Sequence, residues 1–212
     1  MFGLGDTMTL MDTAIILAGG KSSRMGFDKQ LIKIGDICIT EYIIEILKPI
    51  FKNIIVVTNK PGLYKNKNVD IAQDFYKGYG PLGGIHAGLL KSQSIYNYFI
   101  ACDMPYVNTG YIEYMMKRII ETNYEKDAVI TKSADWIEPF NAFYSKELLP
   151  LIEDNIIKDK RGISELLNRS SVLYIDEYIA RGFSPDWSMF TNLNTKNDLM
   201  ALTTLLTNKS ED

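Results

Sequence analysis

The first half of the chain alternates short, unbroken apolar runs with longer segments that are apolar on one side only. Ala14-Ile15-Ile16-Leu17-Ala18 ends in Gly19-Gly20, which predicts a strand buried on both faces and then a tight turn. Thr40 is placed to cap a helix through about Pro49, with Tyr42, Ile43, Ile46 and Leu47 on one face. Ile54 to Thr58 reads as a second buried strand, Val69 to Ala72 as a weaker third, and Gly84 to Leu90 as a short helix. Tyr98 to Cys102 is a further apolar strand that runs straight into Asp103.

In the second half, Asn108 is placed to cap a helix through about Thr122, and Ala128–Thr131 and Phe140–Tyr144 read as strands. Ser145 is expected to cap a helix to roughly Asp154, kinked by Pro150. A short helix over 163–168 and a strand over 172–175 follow. Thr195 with Asp198 has the spacing of a capping box for a last helix ending near Leu206. Strands alternating with helices over the first ~120 residues imply an α/β fold: a mostly parallel sheet with helices on both faces and ligands at the carboxyl ends of its strands. Both the Gly19 turn and Asp103 stand at such ends. We divide the chain into a disordered leader over 1–12, a single domain over 13–207 and a frayed tail over 208–212.

Composition narrows the classes. A hydrophobic fraction of 46% is enough for a real core, and a net charge of −3 argues against a general binder of nucleic acid or membrane surfaces. No apolar run approaches the ~20 residues of a membrane span, and the leader lacks the features of a signal peptide. Cys38 and Cys102 form no CxxC pair, so both are expected to be buried, reduced thiols of a cytoplasmic protein.

Four segments carry candidate chemistry. In Leu17 to Gly26, glycines let the backbone approach an anion, and Lys21, Arg24 and Lys29 put three cations within nine positions. Arg24 suits a two-pronged grip on phosphate and Lys29 a point charge. The spacing matches neither the P-loop nor the dinucleotide-binding pattern. Asp103, at a strand end before Met104-Pro105, can hold Mg²⁺ on triphosphate oxygens, or simply form an Asx-turn. Asp74 to Gly84 is a glycine-rich loop able to line a base or sugar. Farther on, Trp136, Glu138, Asn141, Lys160, Arg161, Asn192 and Asn194 are candidates for an acceptor site, Asn192 and Asn194 pointing the same way if that run is extended. His86, the only histidine, reads as structural, and no nucleophile–histidine set can be built around it; that favours phosphoryl chemistry.

These residues resemble the molybdenum cofactor guanylyltransferases. Leu17 to Lys29 (LAGGKSSRMGFDK) is similar to the family's LAGGxSxRMGxDK signature, Asp74 to Gly84 to its GPLGG loop, Ala101 to Pro105 to its CDMP element, and Phe190 to Thr195 to its F-x-NINT segment. The resemblance implies a single-domain, Rossmann-like three-layer sandwich of the nucleotide-diphospho-sugar transferase type. It implies transfer of GMP from GTP to the phosphate of molybdenum-loaded molybdopterin, with pyrophosphate released. Carried over residue by residue, it assigns Leu17, Ala18, Gly19, Gly20, Lys29, Asn59, Asp74 and Asp103 to GTP, and Asp103 to Mg²⁺. Arg24, Lys29 and Asp103 become the catalytic group, and Asn192 and Asn194 contact the acceptor. Contacts with cofactor-assembly or acceptor proteins also fit this role. The competing readings are a cytidylyl- or sugar-1-phosphate nucleotidyltransferase, and a GTP-binding assembly protein without catalysis.

Overall fold

The computed structural model describes residues 9–19, 29–34, 37–65, 67–134, 136–195, 198–200 and 202. In chain order the strands are β1 (Thr13–Leu17), β2 (Lys33–Ile34), β3 (Ile37–Cys38), β4 (Asn53–Val57), β5 (Asp70–Ala72), β6 (Tyr96–Ala101), β7 (Ala128–Ser133), β8 (Trp136–Ser145) and β9 (Val172–Asp176). The helices are α1 (Ile39–Leu47), α2 (Pro81–Lys91), α3 (Thr109–Glu121), α4 (Leu149–Ile157), α5 (Ile163–Leu167) and α6 (Glu177–Phe183). One sheet takes the order β5-β4-β1-β6-β8-β7-β9, and β2 pairs with β3 in a small antiparallel ribbon.

The run from Thr13 to Leu17 is unbroken because both faces of β1 are covered. All five residues are buried, and successive side chains enter opposite cores. Ala14 and Ile16 join the layer built by α1 and α3, with Ala180 of α6 and Met189 beyond them. Ile15 and Leu17 join the layer built by α2, α4 and α5, through Ile85, Leu89, Ile152 and Leu166. Each fully buried isoleucine contributes about 2–3 kcal/mol of transfer free energy. The result is three layers, helix–sheet–helix. Helix α2 lies especially close to the sheet: a β-carbon at Gly88 would stand 2.7 Å from Ile15 Cγ2 and 3.1 Å from Phe99.

The sheet is mixed. Pairings β5–β4, β4–β1, β1–β6 and β7–β9 are parallel, whereas β8 runs antiparallel to both β6 and β7. Strand β7 turns back through Ala134, at φ +50°, and enters β8 without a crossover helix, which makes their pairing antiparallel. The β7–β8 register shifts between Val129 and Thr131, and Asn141 takes φ +56° inside β8. That irregularity separates the first half of β8 from the regular ladder.

Several local expectations need revision. Thr40 is not the cap of α1: Cys38 holds that position, and the Thr40 hydroxyl is buried in the first turn without a hydrogen-bond partner. Pro150 does not kink a helix but begins one, since the missing N–H of proline is harmless in the first turn. Ser145 instead caps a 3₁₀ turn over Lys146–Leu148, accepting from the Glu147 amide. Helix α2 starts at Pro81, so Gly83 and Gly84 belong to the helix rather than to the loop before it. The leader is tied down earlier than Asp12: the Ile95 and Tyr96 amides bond to the carbonyls of Thr9 and Leu10 at 2.9 Å each. Cys102 is buried but Cys38 only half so, at the ribbon-to-helix junction. Two caps are as expected. Asn108 accepts from the Tyr111 amide at 2.9 Å. Thr195 and Asp198 each accept from the other's amide, at 3.1 and 2.8 Å.

Candidate active site

Four parallel strands end at one edge. Beyond Leu17, Val57, Ala72 and Ala101, backbone bonds continue the ladder by one step: Ala18 N–H to Val57 O at 2.9 Å, Thr58 N–H to Ala72 O at 3.0 Å, and Cys102 N–H to Leu17 O at 3.1 Å. The chains then part and leave a cleft of about 770 Å³, a size suited to a nucleotide. Leu17, Ala18, Gly19, Asn59, Asp74 and Asp103 line it, together with Lys29 and Asn192. The cleft thus gathers these residues from six separated segments, at the place where open α/β sheets bind ligands.

On its floor, the Lys29 ammonium forms an ion pair with the Asp103 carboxylate, whose side chain is only 7% exposed. Lys29 also donates to Asn194 Oδ1 at 3.3 Å. The backbone carbonyl of Asp103 accepts from Leu193 N–H at 2.8 Å. Asn194 does not line the cleft but reaches it through Lys29, while Asn192 lines it directly. Residues 191–194 are not a strand; they are placed by the Leu193 bond to Asp103 and by the Asn194 and Thr195 amides on Asp198, which hold that carboxyl below its ordinary range.

Across the cleft, Asp74 Oδ1 accepts from Tyr76 N–H at 2.8 Å. Its carboxylate rests on Gly83, where a β-carbon would lie 2.6 Å from Oδ1. Burial raises the Asp74 carboxyl above its usual range, opposed by the Tyr76 amide and by the charge of His86. The loop turns through Gly78 at φ +98° and Gly80 at φ +54°, values that favour glycine. His86 is 4% exposed, with its ring edge-on to Tyr76 at 4.9 Å and Nε2 3.2 Å from Glu153 Oε1. It supports the loop from beneath.

Gly20 and Arg24, with the rest of 20–28, lie outside the described residues. Sequence reasoning missed Gln30, Thr58 and Phe140 as cleft residues, whereas Lys77 belongs to the Asp74–Gly84 stretch expected there. Thr58 donates to Gln30 Oε1 at 2.6 Å and so pins the segment after the glycine-rich loop onto the end of β4. Its place as the last residue of an apolar strand was the available signal. Phe140 read only as a strand residue within a segment, 138–141, that loosely resembles the family, and the distortion of β8 brings it to the cleft.

A mixed α/β sheet whose parallel strands end at a cleft holding a lysine–carboxylate pair beside glycine-rich backbone fits an α/β protein of the nucleotide-transferring class. Residues 14–173 match the model of the MobA-like NTP transferase domain, and the chain belongs to that family. It is 50% identical to the probable molybdenum cofactor guanylyltransferase of Peptoclostridium acidaminophilum over 90% of this chain and 87% of that one. Identity to the molybdenum cofactor guanylyltransferase of Syntrophotalea carbinolica is 46%, over 88% of each. Among solved structures, molybdopterin-guanine dinucleotide biosynthesis protein A of Archaeoglobus fulgidus superposes with a TM-score of 0.78 at 26% identity, covering 92% of this chain and 99% of that one.

Proposed function

We infer that this protein is a molybdenum cofactor guanylyltransferase, with residues 13–207 as its catalytic domain. It transfers GMP from GTP to the terminal phosphate of molybdenum-loaded molybdopterin in the cytoplasm. The observation that carries the reading is the Lys29–Asp103 pair on the cleft floor, touched by Asn194 from the other half of the chain. The named relatives supply the nucleotide and acceptor.

In the reaction, an oxygen of the acceptor phosphate attacks the α-phosphorus of GTP. The bond from that phosphorus to the bridging oxygen breaks and pyrophosphate leaves. The acceptor phosphate has a second pKa of ~6 and is largely ionised, so no residue need remove a proton. The difficulty is negative charge, on two anions brought together and on the leaving group. Lys29 neutralises part of it, and Arg24 is proposed as the second cation. The amides after β1, the Gly78–Gly80 turn and the start of α2 position the nucleotide. Asp74 accepts from its guanine edge, which offers two adjacent donors where cytosine offers one. Asn59 faces the sugar, and Asn192 and Asn194 orient the incoming phosphate.

Asp103 fits as the protein's ligand to Mg²⁺. Among the described residues no three acidic, histidine or cysteine side chains cluster, and magnesium used with nucleotides characteristically takes one or two carboxylates plus phosphate and water. When bound there, it would supply electrostatic stabilisation of the phosphate oxygens. On triphosphate binding, Lys29 turns from Asp103 to the phosphates and frees the carboxylate.

Incubation with GTP, Mg²⁺ and molybdenum-loaded molybdopterin should yield the guanine dinucleotide, identified by mass, and pyrophosphate. CTP, UTP and ATP should give little. Preferred use of CTP would replace the reading with the cytidylyl one, and GTP binding without pyrophosphate release would leave only a binding protein.

A further inference from the structure

Outside the cleft, one carboxylate is held by two indoles rather than by a cation. Glu138 stands in the first half of β8, half-buried. The indole N–H of Trp136 donates to Oε1 at 3.2 Å, and Trp187 donates a second bond. Among the described residues these two indoles are its hydrogen-bond partners. A carboxylate has about four acceptor positions, so two stay open. Burial pushes the carboxyl above its ordinary range, against the lowering by the two indole bonds. Such a group suits a neutral ligand offering paired donors better than a cation.

Two stretches of chain run from Glu138 and Trp187 to the cleft. Antiparallel pairing of β8 with β6 sends the chain before Ala142 toward the carboxyl end of β6, where Asp103 begins. Phe140, two residues from Glu138, lines the cleft; that is at most about 7 Å along an extended strand. On the other stretch, Trp187 packs against Phe190 with centroids 4.6 Å apart, and Asn192 lines the cleft two residues later. The Asn141 side-chain amide donates to Met189 O at 3.3 Å and ties the stretches together. Trp187 is fixed at φ +64° and carries the Arg181 guanidinium on its ring at 4.8 Å. Trp136, by contrast, is 67% exposed and offers an open aromatic face.

We propose that Glu138, flanked by Trp136 and Trp187, is the specificity residue for the acceptor's ring: its carboxylate accepts the paired N–H and amino donors of a 2-amino-4-oxopyrimidine edge while Trp136 covers the ring. The acceptor's phosphate then lies in the cleft and its heterocycle outside. This rests on the guanylyltransferase reading. It gives the two substrates, which share that edge, separate carboxylates: Asp74 for guanine and Glu138 for the pterin.

The test uses the full chain. A site built to receive such donors discriminates strongly against an analogue lacking them. Wild type should be inhibited by 6-hydroxymethylpterin, competitively with molybdopterin, about tenfold more tightly than by 6-hydroxymethyllumazine, whose 2-amino group is replaced by a carbonyl. Glu138→Gln should raise KM for molybdopterin about tenfold, abolish that preference and leave kcat and the GTP dissociation constant unchanged. An unchanged molybdopterin KM, or a weakened GTP affinity, would overturn the assignment. If the variant fails to fold, wild type alone still decides, because equal inhibition by pterin and lumazine refutes it. Failure of the underlying reading is separate: wild type would then make no dinucleotide at all.

Discussion

The two sides of the cleft are built differently. The side proposed to face the nucleotide rests on regular parallel strands, β5, β4, β1 and β6, with Ala18, Gly19, Asn59, Asp74 and Asp103 one or two positions beyond a strand end. The side proposed to face the acceptor rests on the distorted first half of β8 and on 187–194, a stretch with one 3₁₀ turn and no strand. In the proposed arrangement, regular structure fixes the groups that would meet a constant chemical object, the triphosphate. Irregular backbone, held by a few side-chain bonds, can be shaped to one particular acceptor. Asp103 belongs to both sides, through its carboxylate and through its carbonyl on Leu193.

The comparison can be broken hardest at that shared residue. Asp103→Asn should lower the rate of pyrophosphate release by about two to three orders of magnitude, the usual effect of losing one electrostatic stabiliser, while circular dichroism shows a folded protein. Near-normal turnover would remove Asp103 from the chemistry. Lys29→Ala comes next. It should weaken GTP binding about tenfold by titration calorimetry, a gap that narrows as salt rises because screening weakens the wild-type attraction. A gap independent of salt would point to packing instead.

Gly83→Ala sharpens the description of the nucleotide side. The new methyl would overlap the Asp74 carboxylate, which can swing away at little cost in stability. KM for GTP should therefore rise about three- to tenfold, with a melting temperature within a few degrees of wild type. Asp74→Asn carries the smallest stability effect. Burial raises the folded carboxyl above its unfolded value. The stability it contributes is present at pH below the unfolded pKa and is lost as pH rises through the folded one. Removing the charge should thus raise the melting temperature by about 1–2 °C at neutral pH, with no gain at acidic pH, while GTP binding weakens. Melting temperatures across pH give the sign directly; a loss at neutral pH would contradict it.

The same division explains what could be read from the residues alone. Strand cores such as Ala14–Leu17 and Tyr98–Ala101 are apolar on both faces, so their strand character and the active edge beyond them follow from pattern. Leu17, Ala18, Gly19, Asn59, Asp74 and Asp103 accordingly stand where expected, in the cleft. Helix α6 went unread because Ala180 is its one fully buried residue, which leaves a faint period. The β2–β3 ribbon is two residues a side, too short to alternate visibly. Phe140 and the antiparallel entry of β8 depend on a register shift that no periodicity records. Asn194 was placed at the site by motif, but its actual contact, with Lys29, spans 165 positions of sequence.

The bond from Leu193 N–H to Asp103 O has a use in observing the working molecule. One main-chain hydrogen joins the residue assigned to the metal with the segment assigned to the acceptor. Its exchange with deuterated solvent therefore measures how often the C-terminal segment lets go. Slower exchange with both substrates present than with GTP alone would register closure around the acceptor, from a single amide.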